Sequence, residues 1–257
     1  MSCRDLVAKS FPRFELMQSV KKGLFAEESC IRIDMTQDLP AELASDQLAA
    51  LLCARLCHDL VSPVSALGAA LSVLDDPASP DMHDDAMELV RESSRQAQAK
   101  LEFARLAFGA GGSAPATLDT RELQRLTEAM FSSVKPDIVW KVEAPGLEKA
   151  PSRLLLNLCI MGVDAAPRGG TVTVEATETG GSARIRIVSE GRRARLEEAA
   201  GQALEGKIPD NGLDGRSIQP FYAGLIARNA GGRVSAHVGD ERVEFVALVD
   251  TPAEQPA

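Results

Sequence analysis

The chain has 257 residues, 45% hydrophobic and 25% charged, with aromatic residues at only 4%. It can bury one large core or two modest ones, filled by Leu, Val, Ile and Ala rather than rings, a composition that suits closely packed helices. The net charge of -9 opposes a phosphate backbone, so no nucleic-acid partner is expected. No unbroken apolar run of roughly 18 residues occurs, and the N-terminus lacks the basic-then-apolar order of a secretory leader, so the expectation is a cytoplasmic protein without membrane contact. Five cysteines, Cys3, Cys30, Cys53, Cys57 and Cys159, are odd in number and scattered, which fits reduced thiols rather than a disulfide framework.

Residues 1–40 show no sustained period, balance six basic against six acidic side chains and end at Asp38-Leu39-Pro40. They read as a poorly ordered arm with no assigned function, and Met35 stands as a second candidate start just ahead of the patterned chain. From Asp46 to Leu74 the residues Leu48, Leu52, Leu56, Leu60, Val64, Leu67, Leu71 and Leu74 recur at spacings of four or three, one stripe about 120° wide on a helix about 43 Å long. Asp75-Asp76-Pro77-Ala78-Ser79-Pro80 ends it, since proline cannot continue a helix. A second stripe of Ala86, Leu89, Val90, Ser93, Ala97, Leu101, Ala104 and Phe108 stops at the glycines from Gly109. Residues 41–109 are thus expected to form an antiparallel hairpin. Two helices alone leave much of each stripe wet, and a second copy would cover it in a C2 four-helix bundle, so a homodimer is expected.

Gly109–Leu118 is rich in Gly, Ala and Ser and reads as a linker. Beyond it the pattern predicts helix over 119–133, strand over 137–142, helix over 151–166 and strands over 171–177 and 183–189, joined by a Gly180-Gly181 turn. A variable Gly, Arg and Glu-rich stretch spans 190–215. A helix near 217–229 and strands at 233–238 and 242–249 follow, and residues 251–257 read as a disordered tail. The second unit, residues 118–250, is expected to be an α/β sandwich with helices on one face of a mixed sheet, making the chain α+β.

His58 lies mid-helix, about 180° from the centre of the first apolar stripe, and is expected to face solvent or a partner. Arg55 and Ser62 share its side and Asp59 follows it. A neutral imidazole attacks an acyl phosphate without a strong base, and a neighbouring carboxylate holds its tautomer and stabilises the charge that develops. Pro63 cannot bond the carbonyl of Asp59, so a kink is expected there. His83 and His237 read as structural. Cys53 and Cys57 with His58 are an incomplete metal set and read as small buried hydrophobes, so no metal is expected.

The string Arg55-Leu56-Cys57-His58-Asp59-Leu60-Val61-Ser62-Pro63 resembles the H-box hairpin of histidine kinases. With Asp84-Asp85-Ala86-Met87, Phe103-Ala104-Arg105-Leu106-Ala107-Phe108-Gly109-Ala110 and Ser152-Arg153-Leu154-Leu155-Leu156-Asn157-Leu158, it is similar to the ChpT family of bacterial histidine phosphotransferases over about residues 47–250. The resemblance implies a long helical hairpin forming a dimeric four-helix bundle, then a domain resembling a degenerate kinase ATP-binding domain. It makes His58 the phosphorylated residue, with Asp59 assisting and Leu51, Arg55 and Ser62 as docking contacts. Departures from the kinase pattern bear on mechanism: Asn157 is kept, but the metal-holding position four residues on is Met161, a poor ligand for a hard cation. The Asp-x-Gly-x-Gly turn has become Ser189-Glu190-Gly191-Arg192-Arg193, and the glycine-rich lid is thinned to Gly212–Ser217. No bound nucleotide or other cofactor is therefore expected, and Mg would come with the partner. The implied partners are the receiver domain of a hybrid histidine kinase as donor, and response regulators similar to CtrA and CpdR as acceptors. An ATP-dependent kinase core and a non-catalytic adaptor are the alternatives.

Overall fold

A computed structural model describes residues 43–109, 117–209 and 212–251; the expected arm over 1–40, most of the linker and the tail beyond Thr251 lie outside them. α1 runs from Ser45 to Leu74. It ends where Asp76 accepts from the Ala78 amide at 2.9 Å and the Ser79 hydroxyl at 3.0 Å, a local bond that competes with helix. One 3₁₀ turn over Pro80–Met82 leads into α2, His83–Ala107, which packs back along α1. By length and composition α1 is, among the described residues, the one helix apolar and long enough to cross a bilayer.

The hairpin corrects one expectation. Cys53 and Cys57 are exposed, not buried, and with Val61, Val64 and Leu71, each more than half exposed, they form one stripe along α1 at spacings of four, four, three and seven. As expected for two helices alone, a single partner helix covers only part of so wide an apolar arc, and the two cysteines lie on the part it leaves open. Pro63 and Ala70 are the buried residues of α1.

The rest of the chain opens with β1, Thr117–Asp119, paired antiparallel with β3, Gly146–Glu148. Asp119 caps α3, Thr120–Met130, by accepting from the Arg121 amide at 2.8 Å. β2 (Pro136–Trp140), β4 (Gly170–Thr179), β5 (Ser182–Glu190), β7 (Arg242–Asp250) and β6 (Arg233–Gly239) form a five-stranded sheet in that spatial order. β2 and β4 run parallel across the crossover that contains α4, Lys149–Ala165, and the other neighbours are antiparallel. Gly180 and Gly181, with φ of 62° and 79°, make the β4–β5 turn.

Alternation along the strands sends Val172, Val174, Ile185, Ile187, Val243, Phe245 and Ala247 inward, where they meet Leu154, Leu155 and Leu158 of α4, all fully buried. The outer face is polar: Arg186 bonds Glu175 at 2.8 Å and Glu244 at 2.6 Å across three strands. A short α5, Glu198–Leu204, and α6, Ile218–Asn229, complete the helical layer. α5 falls in the variable Gly, Arg and Glu-rich stretch, to which the sequence assigned no element.

The hairpin is fastened to this layer. Leu48 and Leu52 pack on the sandwich core, Leu51 meets a satellite cluster of Ala203, Ile218 and Phe221, and Phe103 and Phe131 stack edge-on at 5.8 Å.

Candidate phosphotransfer site

His58 projects from α1 with 83% of its side chain exposed. Its Nδ1 stands 3.2 Å from Asp59 Oδ1. A carboxylate only accepts, so this contact puts the ring proton on Nδ1 and the free lone pair on Nε2. The other oxygen of Asp59 accepts from Arg55 Nε at 3.1 Å. The Arg55 guanidinium also lies 3.7 Å from Asp164 at the end of α4 and 3.5 Å from the Gly215 carbonyl. A chain of contacts thus runs from the sandwich through Arg55 and Asp59 to the imidazole.

Pro63 contributes through what it lacks. It leaves the Asp59 carbonyl without its helical donor, and Lys100 of α2 supplies one at 2.8 Å. The turn that carries His58 is thereby tied to the second helix by a bond an ordinary helix would not need. Nothing in the spacing of the stripes signals it.

Beside His58 opens a cleft of about 380 Å³, walled by Arg55, Met161, Asp164, Leu196, Arg216 and Pro220 among others. Among the described residues no group of three or more His, Cys, Asp or Glu could hold a metal ion.

Of the expected docking residues, Ser62 is exposed, but Leu51 and Arg55 are half-buried and engaged within the chain. Leu51 joins the hairpin to α6, and Arg55 pairs with Asp59 while also lining the cleft beside His58. Both depend on tertiary neighbours more than a hundred residues away, which helical periodicity does not reveal.

Asn157 and Ser189, which the kinase resemblance sets at nucleotide-site positions, are bonded within the chain. Asn157 is fully buried; its amide donates to the Ala107 carbonyl at 2.8 Å and to the Arg153 carbonyl at 2.6 Å, while its oxygen accepts from Gln219. Ser189, also fully buried, donates to the Gly162 carbonyl at 2.7 Å. A Cβ at Gly162 would stand 2.7 Å from Ile187, so the layers meet too closely there for a larger residue. These side chains do not fit a role as free ligands for a metal-bound nucleotide.

An accessible histidine oriented by a carboxylate on a helical hairpin, backed by an α/β sandwich, defines a histidine phosphotransferase. Residues 120–242 match the family described as "Histidine phosphotransferase C-terminal domain". The chain is 37% identical over 209 residues to "Protein phosphotransferase ChpT" of Brucella abortus (strain 2308), an overlap of 81% of this chain and 99% of the relative. A solved structure described as a bacterial phosphotransferase superposes with a TM-score of 0.73 at 36% identity, covering 81% of this chain and 99% of that one. The chain belongs to the ChpT family of protein phosphotransferases.

Proposed function

We propose that the chain is a phosphorelay intermediate that accepts a phosphoryl group on His58 Nε2 from the receiver aspartate of a hybrid histidine kinase and passes it to response-regulator aspartates, without using ATP. The observation that carries this reading is His58 itself, four-fifths exposed with Nδ1 against Asp59. The Nε2 lone pair attacks phosphorus, the P–O bond to the partner aspartate breaks, and its electrons leave with that carboxylate. The imidazole becomes a cation that keeps its Nδ1 proton, and Asp59 stabilises it. The return step is the reverse attack by a second aspartate. Mg comes with the partner receiver domain.

The spent side chains of Asn157 and Ser189, together with Met161 at the second metal position, support independence from ATP. The family resemblance supports receivers similar to CtrA and CpdR as acceptors. The exposed stripe of Cys53, Cys57, Val61, Val64 and Leu71 supports a homodimer closed through the hairpins, and with it a cytoplasmic protein whose α1 meets protein rather than lipid.

Incubation with a phosphorylated hybrid-kinase receiver tests the proposal. Acid-labile phosphate is expected on the unaltered chain and none on His58→Ala or His58→Gln, with both variants folded and of dimer mass by light scattering. Labelled ATP alone is expected to leave no label. Transfer that survives in both variants, or self-labelling from ATP, overturns the reading.

A further inference from the structure

The start of β2, the start of β4 and the end of β5 lie at one end of the sheet, because β2 and β4 are parallel and β5 runs against them. Their connections bring Lys135, Arg168, Arg192, Arg193 and Arg195 around one concavity of about 560 Å³, with Pro167 the remaining lining residue. All five cations are exposed. The dish is built rather than a chance gathering of loose side chains. The Arg195 amide donates to the Ala165 carbonyl at 3.0 Å and the Ala194 amide to Gly191 at 2.9 Å. A Cβ at Gly191 would stand 2.2 Å from the Gly169 carbonyl, so the loops approach too closely for any larger residue there. Arg193 is held at φ 64°, a conformation costly for a side chain of its kind.

The charge is what requires explanation. The chain has 37 acidic against 28 basic residues, yet five of its cations gather around this one concavity with no acidic residue in its lining. Among the described residues none of the five dish cations has a carboxylate within 4.0 Å. Like charges gathered without counter-charge repel, and an acidic protein could have neutralised them.

We infer that this dish is a docking surface for an acidic face of the partner protein that exchanges phosphate with His58. Two observations favour a protein over a small anion. The dish has no aromatic wall and only Pro167 as an uncharged one, so it offers nothing to hold a base or sugar. It is also continuous with the cleft beside His58, since Pro167 and Arg195 line both. A protein that covers that cleft to reach Nε2 comes to lie against the dish. Such a surface speeds encounter and tightens the complex without taking part in the chemistry. The inference rests on the relay reading above.

The test measures binding of the receiver domain that the unaltered chain binds most tightly, by calorimetry at about 50 mM and about 300 mM salt. Lys135→Gln/Arg168→Gln/Arg192→Gln is expected to weaken low-salt binding about tenfold, and Arg168→Glu/Arg192→Glu about a hundredfold, with both losses shrinking at high salt. Labelling of His58 by phosphoramidate, a small donor that needs no docking, is expected to be the same in all three proteins. Equal low-salt affinities overturn the inference, as does saturable binding of inorganic phosphate or ATP at the dish with receiver binding unchanged. An unaltered chain that binds the receiver but takes phosphate from neither donor overturns the relay reading instead, and the affinities still judge the dish.

Discussion

His58 and Asn157 are both polar side chains set in the middle of helices, and their surroundings differ in every respect. His58 is open to solvent and held from one side only, by Asp59, leaving one ring nitrogen without a partner. Asn157 is sealed, with its amide and its oxygen both bonded inside the chain. Reactivity requires an unspent lone pair at an accessible atom, whereas stability requires that nothing buried be left unspent. Within this fold the hairpin supplies the first condition and the helical layer the second.

Substitutions should separate the two cleanly. The largest effect belongs to His58→Ala, which is expected to abolish transfer while leaving the urea midpoint of the chain almost unchanged. Asn157→Ala should do the opposite. It strands the Ala107 carbonyl and the Gln219 amide, and a cost of about 2–4 kcal/mol is expected in urea unfolding, with transfer per folded molecule retained. A stable Asn157→Ala would mean that the buried bonds contribute little.

Between these lies Asp59. Asp59→Asn keeps the shape but not the charge opposite the forming imidazolium, and transfer should fall about 10- to 100-fold with a shifted pH profile. Arg55→Ala should move the same rate and profile by less, with partial rescue in Arg55→Lys. An Asp59→Asn variant with an unaltered rate and profile would confine the carboxylate to packing.

The smallest effect is expected from acid. Ser217, through its backbone amide and its hydroxyl, holds the Asp214 carboxyl below the ordinary range, and Arg186 does the same for Glu244. Because the folded values are depressed, the stability they confer is complete above the unfolded values, about 4 to 4.5, and is lost as the pH falls through the lower folded ones. Thermal melts from about pH 6 to about pH 3 should decline in that window, less steeply in Asp214→Asn.

Much of this was legible in the sequence, for reasons that differ by element. α1 and α2 were readable within a residue or two because strong apolar periodicity is bounded by Pro77, Pro80 and Gly109. The sheet strands were readable because alternation and glycine turns are local signals. The three-residue β1–β3 pair and α5 were not. Two strands that short are held by their neighbours rather than by any pattern, and Gly201 weakens the helical signal of α5. At the site, His58 and Asp59 could be found because they adjoin on one helix. Lys100 and Asp164 could not, because their part depends on a carbonyl freed by Pro63 and on a helix end that only folding brings near. The misreading of Cys53 and Cys57 has the same root: periodicity locates a greasy arc but does not say how much of it one neighbour can cover.

The bond from Asn157 to the Ala107 carbonyl has a companion. Tyr222 of α6 donates to the Phe108 carbonyl at 3.2 Å, and its ring meets Phe108 edge-on at 5.9 Å. The last turn of the hairpin is thus bolted to two helices of the sandwich. An enzyme that must ferry its own nucleotide to a distant histidine needs a hinge at this joint, able to swing and return. Here the joint is bonded to both helices, which suits the relay proposed above: a visiting protein would meet a dock of fixed geometry at every call.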